Sequence, residues 1–197
     1  MRFDRIARHF ALAATAATAV PASAEIVHWS DANLVIPATY AGLYINVELR
    51  TTGSDKSLAG WDINPYGSGS LLWYAPTGEG VLQLPEYSGA GSLTLGYVVD
   101  GSGTFLDDTS TEFIDGVPGW WSFNTSNYFG FSFRASDGEL RYAWGRMDVG
   151  ATATSRVLAE IAYESDAGVG IAVGAVPAPG AIALLGCAGL ARRRSRR

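Results

Sequence analysis

The sequence predicts an all-β protein, a single jelly-roll-like β-sandwich set between two terminal signals, and three observations point there. Between Glu25 and Ala175 no ten-residue stretch keeps a convincing 3.6-residue apolar period. Short alternating runs recur instead, each bounded by Gly, Pro, Ser or Asp, as in sandwiches and barrels. One longer stretch, "YFGFSFRASDGELRYAWGRMDV", reads as two strands folded about an Asp-Gly turn. A helical bundle or a lone propeller blade fits this pattern poorly.

In chain order, "LYINVELR" is the first clear strand, with Leu43, Ile45, Val47 and Leu49 on one face. "SLLWYAP", "GVLQLP" and "SLTLGYVV" are the next candidates, and "RVLAEIAYE" is the last. Between them lies the hairpin. Asp137-Gly138 suits a two-residue turn in which both central residues take positive φ. That turn pairs Ser136 with Glu139, Phe133 with Tyr142, Phe131 with Trp144 and Phe129 with Arg146. One face of the hairpin is then almost wholly aromatic. The other carries Ser132 with Ala143, Tyr128 with Met147, and Arg134 opposite Arg141. Two opposed arginines repel, so that end should be solvated or bridged by a carboxylate. Arg146 is expected to stack on a ring or reach a carboxylate.

The 197 residues hold one ordinary domain plus terminal signals. "MRFDRIARHFALAATAATAVPASAE" has the three parts of a secretory signal peptide: early arginines, an apolar stretch from Phe10 to Val20, and the small-residue site Ala22-Ser23-Ala24. Residues 1–24 are therefore read as a signal removed by signal peptidase between Ala24 and Glu25. The body, 25–175, carries six basic against eighteen acidic side chains, a net −12. Such a body is repelled by nucleic acid and by anionic lipid. It contains no cysteine, which excludes disulfides and thiolate metal sites from the folded part.

Residues 176–197 combine "VPAP" at Val176, Pro177, Ala178 and Pro179, an apolar run from Gly180 to Ala191, and arginines over 192–197. Twelve helical residues at about 1.5 Å each reach about 18 Å, short of the roughly 30 Å hydrocarbon core. The arginines favour the cytoplasmic side, so the helix suits a temporary stop in the inner membrane with the body outside. Cys187 reads as a small apolar residue of that helix.

This layout resembles the PEP-CTERM sorting signal of exported bacterial envelope proteins, with Ala178 where the family usually has glutamate. The resemblance implies an exosortase-type sorting transpeptidase as partner. It further implies tethering through the C-terminal helix until processing, then release to the cell surface or beyond it. Tyr128 to Phe133, Tyr142 to Arg146 and Ala162 to Glu164 also resemble a recurrent body type among such proteins. That likeness implies a β-rich exported domain and supplies no catalytic residues.

Chemistry is sparse. His28 is the body's single histidine, and no G-x-S-x-G elbow occurs. Asp107, Asp108, Glu112 and Asp115 supply hard oxygen ligands within nine residues, yet lack the spacing of a calcium loop. They are read as an acidic loop, with calcium as the weaker alternative. Trp120 and Trp121 follow "GVPG" in a loop-like setting where a ring could stack on a sugar face, though only one of two adjacent strand residues would naturally be buried. No cofactor is implied. The expected function is that of an exported, non-enzymatic, structural or adhesive envelope or matrix protein. A module binding extracellular polysaccharide through Trp120 or Trp121 is the alternative, and a carboxylate glycosidase comes third.

Overall fold

The structure, a computed structural model, describes residues 25–177. The signal peptide, including Ala24, lies outside them, as do Ala178, Pro179 and the C-terminal helix. Fourteen strands appear in chain order: β1 (Ile26–Trp29), β2 (Leu34–Val35), β3 (Tyr44–Asn46), β4 (Thr51–Gly53), β5 (Asn64–Tyr66), β6 (Leu72–Tyr74), β7 (Gly80–Gln83), β8 (Val98–Val99), β9 (Thr104–Leu106), β10 (Asp108–Ser110), β11 (Thr125–Arg134), β12 (Leu140–Val149), β13 (Arg156–Glu164) and β14 (Ile171–Ala172). The fold is all-β, with no helix among the described residues. A seven-stranded sheet runs β1-β13-β12-β11-β7-β9, with β2 also paired to β13. Three small sheets accompany it: β10-β6-β5, β14-β8 and β3-β4.

The long hairpin forms, but one residue out of the expected register. Phe133 pairs with Arg141, Phe131 with Ala143 and Phe129 with Gly145. The turn is the cause. Gly138 donates its N–H to Ala135 O at 2.8 Å, Ala135 bonds Glu139 O at 3.1 Å, and only Gly138 of the Asp-Gly pair has positive φ. This is a three-residue loop closed by a left-handed glycine, not a two-residue turn. A one-residue slip separates side chains that would have shared a face. Phe129 and Phe131 therefore face the small Gly145 and Ala143, while Tyr142 and Trp144 point through the opposite side. Arg134 and Arg141 are not opposed; Arg134 pairs with Leu140, and Arg141 reaches Asp137 at 2.6 Å.

Because both faces of the central hairpin are apolar, both are covered. The phenylalanine face shares one buried cluster with Ile45, Leu71, Trp73 and Trp121. The other face packs Tyr142, Trp144 and Ala162 with Leu93, Val99 and Ile171. Strand β7 feeds both clusters by alternation, Val81 into the first and Leu82 into the second. Strand β13 matches "RVLAEIAYE" throughout and carries a bulge: Arg146 pairs with Glu160 and Met147 with Leu158, which leaves Ala159 over.

The "LYINVELR" segment is strand only as far as Asn46. The Asn46 side-chain oxygen accepts the Leu49 N–H at 2.7 Å, turning the chain where alternation predicts more strand. Ile45 and Val47 are buried as expected, whereas Leu49 is 65% exposed. "SLTLGYVV" likewise narrows to Val98 and Val99, with Leu93 making a lone bridge to Tyr128.

Candidate functional site

The residues singled out in the sequence are spread over the surface and the core. Trp121 is fully buried against Trp73 and Phe129, its indole N–H bonded to Ala90 O at 3.0 Å, so it offers no face to a ligand. Trp120 is half-buried, edge-on to Tyr87 at 4.9 Å. The acidic segment does not converge. Asp108 meets the Tyr66 hydroxyl, Glu112 accepts from Ser88, and Asp115 accepts the Phe123 N–H. Among the described residues no group of three or more His, Cys, Asp or Glu side chains is gathered as a metal would need. Glu25 opens the described fold, its backbone bonded to Ser165 at 3.1 and 2.9 Å. Val176 and Pro177 are exposed at the other end.

His28 belongs to a charged row across the main sheet. Its Nε2 lies 2.8 Å from Glu160, whose second oxygen accepts from Arg146 Nε at 2.6 Å, and Arg146 also holds Asp148 at 2.8 Å. Arg146 thus reaches carboxylates, one of the two expected outcomes. Burial would raise the Glu160 carboxyl, but hydrogen bonds from Arg146 and His28 outweigh it and hold the group below its ordinary value. The row ties β1, β13 and β12 together.

An open recess lies on the outer face of the β5-β6-β10 sheet. Register puts Asn64, Tyr74 and Asp108 in one line across its three strands. One residue earlier, Pro65, Trp73 and Thr109 form the inward line, with Trp73 sunk in the core and bonded to Thr111 at 2.7 Å. Period-two alternation therefore sends Trp73 in and Tyr74 out. Tyr66, two positions along from Asn64, joins the outer face, and its hydroxyl is 3.3 Å from Asp108. Burial first, and the Asp108 charge second, raise the Tyr66 phenol above its ordinary value, so it stays a hydrogen-bond donor at neutral pH.

The remaining walls come from loops. Lys56 stands 4.4 Å above the Tyr74 ring and bonds its hydroxyl at 3.2 Å. Trp61 packs edge-on to Tyr44 at 4.9 Å and stacks on Tyr74 at 5.4 Å, bracing both rings. Tyr40, 79% exposed, overhangs the recess. Its loop is held by Gly67 N–H to Thr39 O at 2.8 Å and by the Asn64 amide to Ala41 O at 3.0 Å. Gly42, at φ +65°, lets the loop lie flat on β5; a Cβ there would come within 2.4 Å of Asn64 and Pro65. The result is a cleft of about 320 Å³ lined by Tyr40, Tyr44, Lys56, Asn64, Tyr66, Tyr74 and Asp108. It presents the exposed Tyr40 ring beside hydroxyl, ammonium and carboxylate groups.

No protein-family model, curated protein or solved structure matches this chain.

A second cleft, about 260 Å³, is lined by Asn46, Glu48, Asp62, Arg134 and Ser136 among others. Its polar groups are committed to the fold. Asn46 donates to Ala59 O and Gly60 O, Glu48 accepts from the Ser136 N–H and hydroxyl, and Asp62 accepts the Val47 N–H at 2.6 Å. Burial pushes the Asp62 carboxyl up to about 8 and the nearby Glu79 carboxyl up to about 7. Glu79 is 7% exposed and does not line the cleft.

Of the cleft residues beneath Tyr40, sequence reading singles out only Asp108, as part of an acidic loop. The available signal was alternation in "LLWYAP" joined to the tyrosines of "NPYG" and "ATYAGLY". What no local pattern contains is the register that lines Asn64, Tyr74 and Asp108 up.

Proposed function

We propose that this chain is an exported, non-enzymatic protein of a bacterial cell envelope, sorted through a PEP-CTERM-like tail to the surface or extracellular matrix. Its body, read as a jelly-roll-like sandwich, then has a structural or adhesive role. The observation that carries this reading is the order of segments in the chain: a signal-peptide-like start through Ala24, an all-β body, then "VPAP", an apolar run and terminal arginines over 176–197. Glu25 exchanges hydrogen bonds with Ser165, and Ala175 O accepts the Trp144 indole N–H at 3.2 Å. Both residues adjoin the segments read as signals, and each is tied into the body. Packing of Trp73, from the small β5-β6-β10 sheet, on Phe129 at 4.5 Å supports the sandwich.

The test is the intact mass of the exported protein from a host that carries an exosortase-type enzyme. The expected species begins at Glu25 and lacks the arginine-rich end. Recovery of every molecule with Arg197 in place would overturn the sorting reading.

A further inference from the structure

We propose that the tyrosine-lined cleft beneath Tyr40 is a binding site for a neutral, hydroxyl-rich glycan. Three features of the cleft converge on that ligand class. The first is shape: about 320 Å³ lies at the small end of the range for ligand sites, room for about one or two sugar rings. Tyr40, 79% exposed, supplies a ring with an open face on which the apolar C–H side of a pyranose can rest.

The second is the chemistry of the walls. Each of the seven lining side chains ends in oxygen or nitrogen: four phenols, an ammonium, an amide and a carboxylate. A sugar offers an apolar face ringed by hydroxyls, and such a wall matches both parts. A proline-rich peptide also docks on aromatic-lined grooves, so such a peptide is the competing ligand in the test below.

The third is charge. Lys56 and Asp108 nearly cancel within the cleft, and Lys56 is already engaged by Tyr74 through its hydroxyl and its ring. No surplus positive potential is left to hold a uronate, and a body of net −12 repels polyanions from a distance. A neutral chain meets neither obstacle. The bracing of Tyr44 and Tyr74 by Trp61 keeps these rings in place before binding, which lowers the ordering cost of association.

This inference concerns the body alone and holds whether or not the tail is processed, so it and the sorting reading fail independently. The experiment is affinity electrophoresis of the full-length protein, kept in a detergent without a sugar headgroup, through gels holding a β-glucan, an α-glucan or a galactomannan. Alginate serves as the anionic comparison, and a proline-rich decapeptide is titrated separately by tryptophan fluorescence. At least one neutral polysaccharide should retard the wild type. Tyr40→Ala, at a position too exposed to disturb folding, should weaken that retardation by at least about tenfold. Leu95→Ala, at an exposed turn before β8 and outside the cleft, should leave it unchanged, and circular dichroism should show both variants folded. Retardation by no neutral polysaccharide, full retardation of folded Tyr40→Ala, or binding of alginate or the peptide alone would each overturn the proposal.

Discussion

Asp62 is a carboxyl kept in its neutral form by the fold around it. Burial moves it from an ordinary 3.8 to about 8, against the Val47 hydrogen bond, with Glu79 and Glu48 adding to the rise. Glu79 moves from 4.5 to about 7 by burial, opposed by Arg134. Groups raised on folding stabilise the native state fully below their unfolded values and lose that contribution as pH climbs through the folded ones. Stability should therefore decline from about pH 4 to about pH 8. Below that window the sign reverses, because Glu160 is held low by Arg146 and His28 after burial is overcome, and its contribution is lost as pH falls. Melting temperature measured across pH should peak on the acidic side of neutral, and Asp62→Asn should flatten the decline toward pH 8. A wild-type profile still rising toward pH 8 would contradict this assignment. Nothing in "GWDIN" marks Asp62 as buried. Its environment is made by Val47, fifteen residues back, and by Glu79.

At the scale of elements, strand identity was far more legible than strand pairing. "RVLAEIAYE" and both arms of the hairpin lie where alternation puts them. The register slipped because Asp-Gly closes two different loops, and both satisfy a glycine with positive φ. The observed register sets Gly145 opposite Phe129, where an added Cβ would lie 2.5 Å from the ring. That ring is fixed between Trp73 and Trp121 and has little room to yield. Gly145→Ala should cost about 1–3 kcal/mol through overpacking, seen as a lower urea midpoint with an unchanged slope. In the two-residue register the partner of Phe129 would be Arg146, and Gly145 would lie on the other face. A neutral result would therefore count against the observed pairing. The candidate cleft depends on pairing in the same way. "SLLWYAP" reads as a strand at once, but only its pairing with β5 and β10 brings Asn64 and Asp108 beside Tyr74.

Across the whole molecule, one buried arginine binds distant loops. Arg156 is 2% exposed and donates to the carbonyl oxygens of Pro37, Gly67, Ser70 and Ala153 at 2.6–3.1 Å. Among the described contacts no carboxylate pairs with it, and burial lowers its pKa. Arg156→Met would leave several carbonyls without donors and should cost about 3–5 kcal/mol. Arg156→Lys should recover only part of this, since one ammonium cannot span four acceptors. Chemical denaturation of the three proteins gives the comparison. Gly67 and Pro37 flank the Tyr40 loop and β5, so this clasp also supports the cleft. Composition and alternation settle the all-β class and the main strands, and the order of charged and apolar segments carries the proposal of an exported chain. They can do so because each is a property of neighbouring residues, carried by backbone geometry and local hydropathy. Which tyrosines share a wall, which carboxyl is neutral and which arginine clasps three loops depend on residues up to 119 positions apart. Those relations follow from register and packing, which arise only when the whole chain closes on itself.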